Sequence, residues 1–239
     1  NESISEKILG HVEWIKVSIS AATKETYGKI HRIKVNDFDK VIQNMTMAAK
    51  INETNNYKCV LGMQILLLPE NSHEVIDLAR LARDIGMSYL VVKPYSQHTQ
   101  SKTDLYRNIK YTDYIHLTEK LKEFNTDNFS VIFRVNTMKK WDEGKRNYER
   151  CFALPFWSYI DSGGNVWGCS VYLGDEKFLY GNIYENSFKE IWESEKRKKS
   201  LCRVEEELDV SNCRVNCRMD EINEYLWELK DPPDHVNFI

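Results

Sequence analysis

The sequence is short of the features that mark many classes of protein. It has no marked excess of charge: 33 Lys and Arg stand against 36 Asp and Glu, a net charge of −3, which gives no reason to expect a nucleic-acid partner. No apolar run is long enough to cross a bilayer, so no membrane association is expected. No secretory leader is visible, and the expected location is cytoplasmic. Gly and Pro number only 10 and 5, and there is no internal repeat or low-complexity tract. Six cysteines in 239 residues is an ordinary content, unlike that of a small secreted domain stapled by disulfides. What is left is a soluble globular chain, 29% charged and 42% hydrophobic, with room for one large domain or two modest ones.

Four of the cysteines form a pattern. From Cys151 to Cys169 the chain reads as two short strands, Phe156 to Ile160 and Asn165 to Cys169, around Asp161-Ser162-Gly163-Gly164. Aromatic and β-branched residues flank a turn whose glycines accept positive φ, a strong hairpin signal. A second pair, Cys213 and Cys217, follows on a short turn or at a helix start. Four thiols in two pairs can converge on a metal centre, and both a structural zinc and an iron–sulfur cluster take four cysteines. Two disulfides, or unrelated buried thiols of the kind expected at Cys59, are the other readings of this spacing. Cys202, on a charged helical stretch, is a reserve ligand.

The first half alternates strands and helices. Trp14 to Ala22 reads as a strand with Ile15, Val17 and Ile19 on one face and Lys16, Ser18 and Ser20 on the other. Helices are expected over 24–30 and 37–51, the second with an apolar face of Phe38, Val41, Ile42, Met45 and Ala48. Cys59 to Leu68 is a near-continuous apolar run of the buried parallel kind, with Gln64 its conspicuous polar residue. Asn71 and Glu74 suggest a capping box opening a helix to Gly86, and Tyr89 to Pro94 gives a strand ended by proline. This order argues for a parallel sheet with right-handed crossovers. Residues 95–111 read as a polar loop, either substrate-facing or a solvated connection, 112–124 as a helix, 130–136 as a strand and 137–150 as a charged linker. Beyond the hairpin, Ser187 and Glu190 form a capping box, 193–207 is a solvated helix, 221–230 a last helix, and Pro232-Pro233 begins the tail.

Two motif regions carry a resemblance. Cys151, Gly164-Asn-Val-Trp-Gly-Cys169 and Leu179-Tyr-Gly-Asn-Ile-Tyr-Glu-Asn-Ser-Phe-Lys-Glu-Ile-Trp-Glu-Ser look like the auxiliary-cluster extension of radical S-adenosylmethionine (radical SAM) enzymes, called SPASM in its long form and twitch in its short one. With four suitably placed cysteines the chain is more similar to the single-cluster form. Val17-Ser-Ile-Ser-Ala-Ala-Thr-Lys-Glu-Thr-Tyr-Gly-Lys-Ile-His31 resembles the fourth strand and following turn of the radical SAM partial barrel, and 71–75 and 92–95 resemble segments at its fifth and sixth strands.

The resemblance implies an α/β fold in which the second half of a radical SAM barrel, 1–136, leads through a linker at 137–150 to a small α+β SPASM/twitch-like domain, 151–239. It implies an auxiliary 4Fe-4S cluster on Cys151, Cys169, Cys213 and Cys217. Strand parity offers Ser18, Ser20, Gln64 and Lys93 as lumen-facing candidates for S-adenosylmethionine contact, and Ser18 matches a cofactor-contacting serine of the family. The CxxxCxxC triplet that holds the family's catalytic cluster is absent, so this reading expects a longer parent protein and a chain inactive by itself. The implied activity is generation of a 5′-deoxyadenosyl radical that abstracts hydrogen from a small-molecule or peptide substrate, with an external electron donor. The rival expectation is a non-catalytic iron–sulfur or zinc scaffold that binds a peptide or protein partner.

Overall fold

The computed structural model describes residues 1–232 and 234. The tail expected from Pro233 onward lies outside the described residues, Asp234 apart. The described chain divides into two compact units, one of residues 1–95 and 103–143, the other of 96–102 and 144–239.

The first unit is built on a four-stranded, wholly parallel sheet in the order β1 (Trp14–Ser18), β2 (Val60–Leu67), β3 (Tyr89–Pro94), β4 (Ser130–Phe133). The helices are α1 (Glu2–Ile8), α2 (Lys24–His31), α3 (Asp37–Thr54), α4 (Val75–Asp84), α5 (Leu117–Lys122) and α6 (Val135–Glu143). The sheet is open, with β1 and β4 at its edges. Leu61, Met63, Ile65 and Leu67 of β2 and Leu90 and Val92 of β3 are fully buried, as are Val75, Leu78, Ala79 and Ala82 of α4, which packs on both strands. This is the hydrophobic core, and a wholly parallel sheet demands such cover.

The alternate residues make a different face. Register places Ser18, Gln64, Val91 and Ile132 in one row across the sheet, and Lys16, Gly62, Tyr89 and Ser130 in the row before it. Trp14, Val60 and Ile132 on this face are 63%, 42% and 45% exposed. Gly62 is required here: a Cβ would sit 2.1 Å from the Tyr89 ring, which lies across the glycine.

Several local expectations are revised: the strand expected over 156–160 shrinks to Tyr159–Ile160 behind a turn at Leu154–Phe156, and the helix expected over 112–124 to Leu117–Lys122 behind a turn at Tyr111–Tyr114. Asn71 and Glu74 do not form a capping box. Asn71, fully buried, accepts from the Leu68 amide and donates to the Ser20 and Leu66 carbonyls, while Glu74 reaches across the chain to the start of α2. The stretch read as a linker is helical over its first half, because Met138 and Trp141 of α6 are buried. The expected strand 130–136 ends at Phe133, with Asn136 inside that helix.

The second unit holds a three-stranded antiparallel sheet of β5 (Tyr159–Ile160), β6 (Asn165–Trp167) and β7 (Leu179–Asn182), with helices α7 (Phe188–Glu193), α8 (Glu195–Glu207) and α9 (Asp220–Lys230). The hairpin turn is fastened by Asp161, whose carboxylate accepts from the Gly163 and Asn165 amides and the Asn165 and Trp167 side chains. Gly164 takes φ of +79°. The capping box at Ser187 and Glu190 is formed as the sequence indicates. Val166, Tyr180 and Ile191 make one small core, and Leu154, Trp167, Phe178 and Val204 another.

Candidate metal centre

Cys151, Cys169, Cys213 and Cys217 line one cavity of the second unit, together with Tyr148, Leu154, Tyr172, Val210 and Asn223. The hairpin brings the first two. Cys151 lies just before the turn at Leu154–Phe156, and Cys169 stands two residues past the end of β6. Cys213 and Cys217 stand on the short loop between the turn at Val210–Asn212 and α9. All six cysteines of the chain are free thiols, which removes the disulfide reading.

Each of the four sulfurs has a hydrogen-bond partner. The Val171 amide donates to Cys169 Sγ at 3.4 Å and the Met219 amide to Cys217 Sγ at 3.5 Å, each two residues beyond its cysteine. Asn223 Nδ2 donates to Cys151 Sγ at 3.5 Å. The Tyr172 hydroxyl lies 3.5 Å from Cys213 Sγ. Neutral buried thiols need no such company, whereas thiolates in a cavity do, and hydrogen bonds to ligand sulfurs are a regular feature of iron–sulfur sites. Burial pushes the Cys169 thiol up to about 11, and the nearness of Cys217 and Cys213 adds to the rise. Burial likewise raises Cys213 and Cys217, each with Cys151 among its neighbours. The apolar walls therefore oppose ionisation until a positive centre compensates.

Among the described residues no three His, Cys, Asp or Glu side chains group as a single metal ion would require. The four thiols share the lining of one cavity. One zinc ion holds every ligand sulfur at about 2.3 Å from the same atom. A four-iron cluster likewise takes four thiolates, the number that lines this cavity.

Cys202 is exposed on α8 and does not line the cavity, and Cys59 is buried in the first unit. On the open face of the sheet Ser18 and Gln64 meet: Gln64 Nε2 donates to Ser18 Oγ at 3.0 Å across the β1–β2 pair. Lys93 lies opposite Leu66, one row beyond. Ser20 falls past the end of β1 with φ of +51°, and its hydroxyl accepts from the Leu66 amide at 3.3 Å. Parity placed it beside Ser18; the left-handed turn removes it from that row.

Three residues of the site were not singled out in the sequence. Tyr172 carries no sequence mark. Arg146 Nη2 donates to the Cys213 and Arg214 carbonyls at 2.7 and 2.8 Å. Asn223 carries no sequence signal either: only the structure shows that α9 buries Asp220 and Asn223 while exposing Ile222, Tyr225 and Leu229, the reverse of what its apolar residues suggest. Asn223 Oδ1 also accepts from the Ala153 amide at 2.9 Å, tying α9 to the Cys151 segment.

Part of the polar loop at 95–111 is bonded to other loops of the second unit. Ser96 Oγ donates to the Val215 carbonyl, Thr99 Oγ1 to that of Val171 and Gln100 Nε2 to that of Leu173. Residues 96–102 form a strap across the two cysteine loops of the second unit.

Residues 151–218 match the model of the SPASM domain, described as an iron–sulfur cluster-binding domain. No curated protein matches the chain. Among solved structures, SuiB of Streptococcus suis is similar with a TM-score of 0.56 and 14% identity, covering 80% of this chain and 46% of its own. SuiB bound to S-adenosylmethionine gives 0.50 and 16%, covering 80% and 45%. The chain spans about half the length of these structures, and at such identities the likeness is one of fold. No helix among the described residues is long and apolar enough to cross a membrane. The chain therefore shares the fold of SuiB, and its residues 151–218 are identified as a SPASM iron–sulfur cluster-binding domain.

Proposed function

We propose that the chain is the C-terminal portion of a radical SAM enzyme that generates a 5′-deoxyadenosyl radical and abstracts hydrogen from a small-molecule or peptide substrate. Cys151, Cys169, Cys213 and Cys217 would hold an auxiliary 4Fe-4S cluster, which when bound supplies one-electron chemistry or a substrate anchor. The observation that carries this reading is the set of four thiols around one cavity, each with its own hydrogen-bond partner. The open face of the sheet supports the rest. Ser18 and Gln64 form a preorganised polar pair there, and Ser18, whose oxygen already accepts from Gln64, keeps its hydroxyl proton for a cofactor oxygen. Lys93, one row beyond, would serve an anionic group of cofactor or substrate. Ser20 supports the site indirectly, by fixing the backbone of Leu66. An external electron donor completes the scheme.

The test is anaerobic reconstitution of the chain with iron and sulfide. Brown protein is expected, with broad absorbance near ~400 nm from thiolate-to-iron transitions. Cys151→Ser, Cys169→Ser, Cys213→Ser and Cys217→Ser should each lose iron and colour, while Cys59→Ser and Cys202→Ser keep both. Stoichiometric zinc in colourless protein, or loss of the cluster in Cys202→Ser with retention in Cys213→Ser, would overturn the assignment.

A further inference from the structure

The four thiols do not have equivalent surroundings. Cys151, Cys169 and Cys217 are met by amide N–H groups, whereas Cys213 is met by the hydroxyl of Tyr172. The Tyr172 ring is stacked on that of buried Phe178, with centroids 4.4 Å apart and planes 6° from parallel, so the hydroxyl has little freedom to turn away. On the backbone side, Arg146 holds the Cys213 and Arg214 carbonyls with one nitrogen, Nη2. Its Nε is buried with no hydrogen-bond partner among the described residues.

We propose that Tyr172 and Arg146 act together at Cys213 to raise the reduction potential of the auxiliary cluster. This rests on the assignment of Cys151, Cys169, Cys213 and Cys217 as its ligands. A thiolate on iron has no proton, so in the loaded protein Tyr172 is the donor of the bond to Cys213. Reduction adds one electron and no proton to a centre that already carries negative charge. A hydroxyl donor and a guanidinium beside that centre both favour the more negative state, and the part-buried setting strengthens both effects. Tyr172 and Arg146 are positioning residues, touching ligand atoms and backbone rather than substrate.

The decisive variant is Tyr172→Phe, which keeps the ring on Phe178 and removes only the donor. After reconstitution of the full chain, its iron and sulfide content should equal that of the wild type. Its midpoint, measured with dithionite as electron donor and redox mediators, should fall. The reduction equilibrium should weaken about three- to tenfold, a fraction of the worth of one hydrogen bond to a charged group, which for a one-electron couple is roughly 28–59 mV. Arg146→Gln should shift the midpoint the same way, and Arg146→Lys, which retains the charge, by less. A fully loaded Tyr172→Phe protein with an unchanged midpoint overturns the inference. A wild-type chain that takes up no cluster overturns the ligand assignment itself, and this inference with it.

Discussion

Burial holds the Cys169 thiol at a pKa of about 11 and raises those of Cys213 and Cys217. The consequences for the metal-free protein have a definite sign. An acid whose pKa is higher folded than unfolded keeps its proton better in the fold. Its stabilising contribution is complete below the ordinary thiol value of 9.0 and is lost as pH climbs from there to about 11. Urea unfolding of the metal-free chain should therefore show the second unit weakening over that interval. Cluster assembly should release protons at neutral pH, because ligation requires thiolates. A pH indicator in weakly buffered solution would read that release; an assembly that liberates none would show the thiols to be ionised already. At this scale much was legible. That Ser18 and Gln64 share one face is legible from strand alternation, because a regular strand fixes the face of every second residue. Ser20 was misplaced because alternation holds only while the strand lasts, and a φ of +51° two residues past its end is invisible to a count of two.

Elements in the first unit are joined by side chains that a reading of local motifs assigns to the wrong task. Glu74, 4% exposed, accepts from the Ala22 and Thr23 amides and the Thr23 and Thr26 hydroxyls, and so caps α2 from a different part of the chain. Burial by itself would raise its pKa, but the bonds from Thr26, Thr23 and Ala22 outweigh that and leave it lowered. Its contribution is thus present above the ordinary carboxylate value of 4.5 and is lost as pH falls through the lowered one. Glu74→Gln keeps the size but loses the charge and one acceptor, and should cost the unit about 2 kcal/mol at pH 7. The deficit should shrink in acid, where the wild-type carboxylate is protonated too. Equal deficits at pH 7 and pH 3 would mean that the charge contributes nothing. A sequence offers Asn71 and Glu74 as a local capping box because their spacing fits one; only the fold shows that both reach some fifty residues away. The capping box at Ser187 was legible because there the local partners are the real ones.

For the molecule as a whole, the second unit has small cores and short strands, and its cysteines come from two distant stretches of chain. Coordination should supply much of its folding energy. Chelation of iron should make residues 151–220 sensitive to protease while 14–94 resist. The strap at 96–102 should open together with the former, since Ser96, Thr99 and Gln100 are bonded to carbonyls of the cysteine loops. Limited proteolysis followed by mass spectrometry separates these outcomes: cleavage within 96–102 that is independent of iron would detach the strap from the cluster's fate. The parallel sheet and the cysteine hairpin could be read from patterning and turn chemistry. The strap could not, because its seven residues are polar and aperiodic and their partners are carbonyls, which every residue possesses.

That strap also bears on how the protein comes to be made. Seven residues of the second unit leave the ribosome well before the rest, and more than a hundred further residues must be added before Cys217 follows. At about 5–20 residues per second this is a wait of roughly 6–23 s, during which the last residues of the first unit are also added. The same interruption means that the cluster unit is not a cassette. A gene fragment beginning at residue 144 would encode all four thiols and still lack the segment that donates to the Val171, Leu173 and Val215 carbonyls beside them, so recombination could not move this unit to another protein by a single cut.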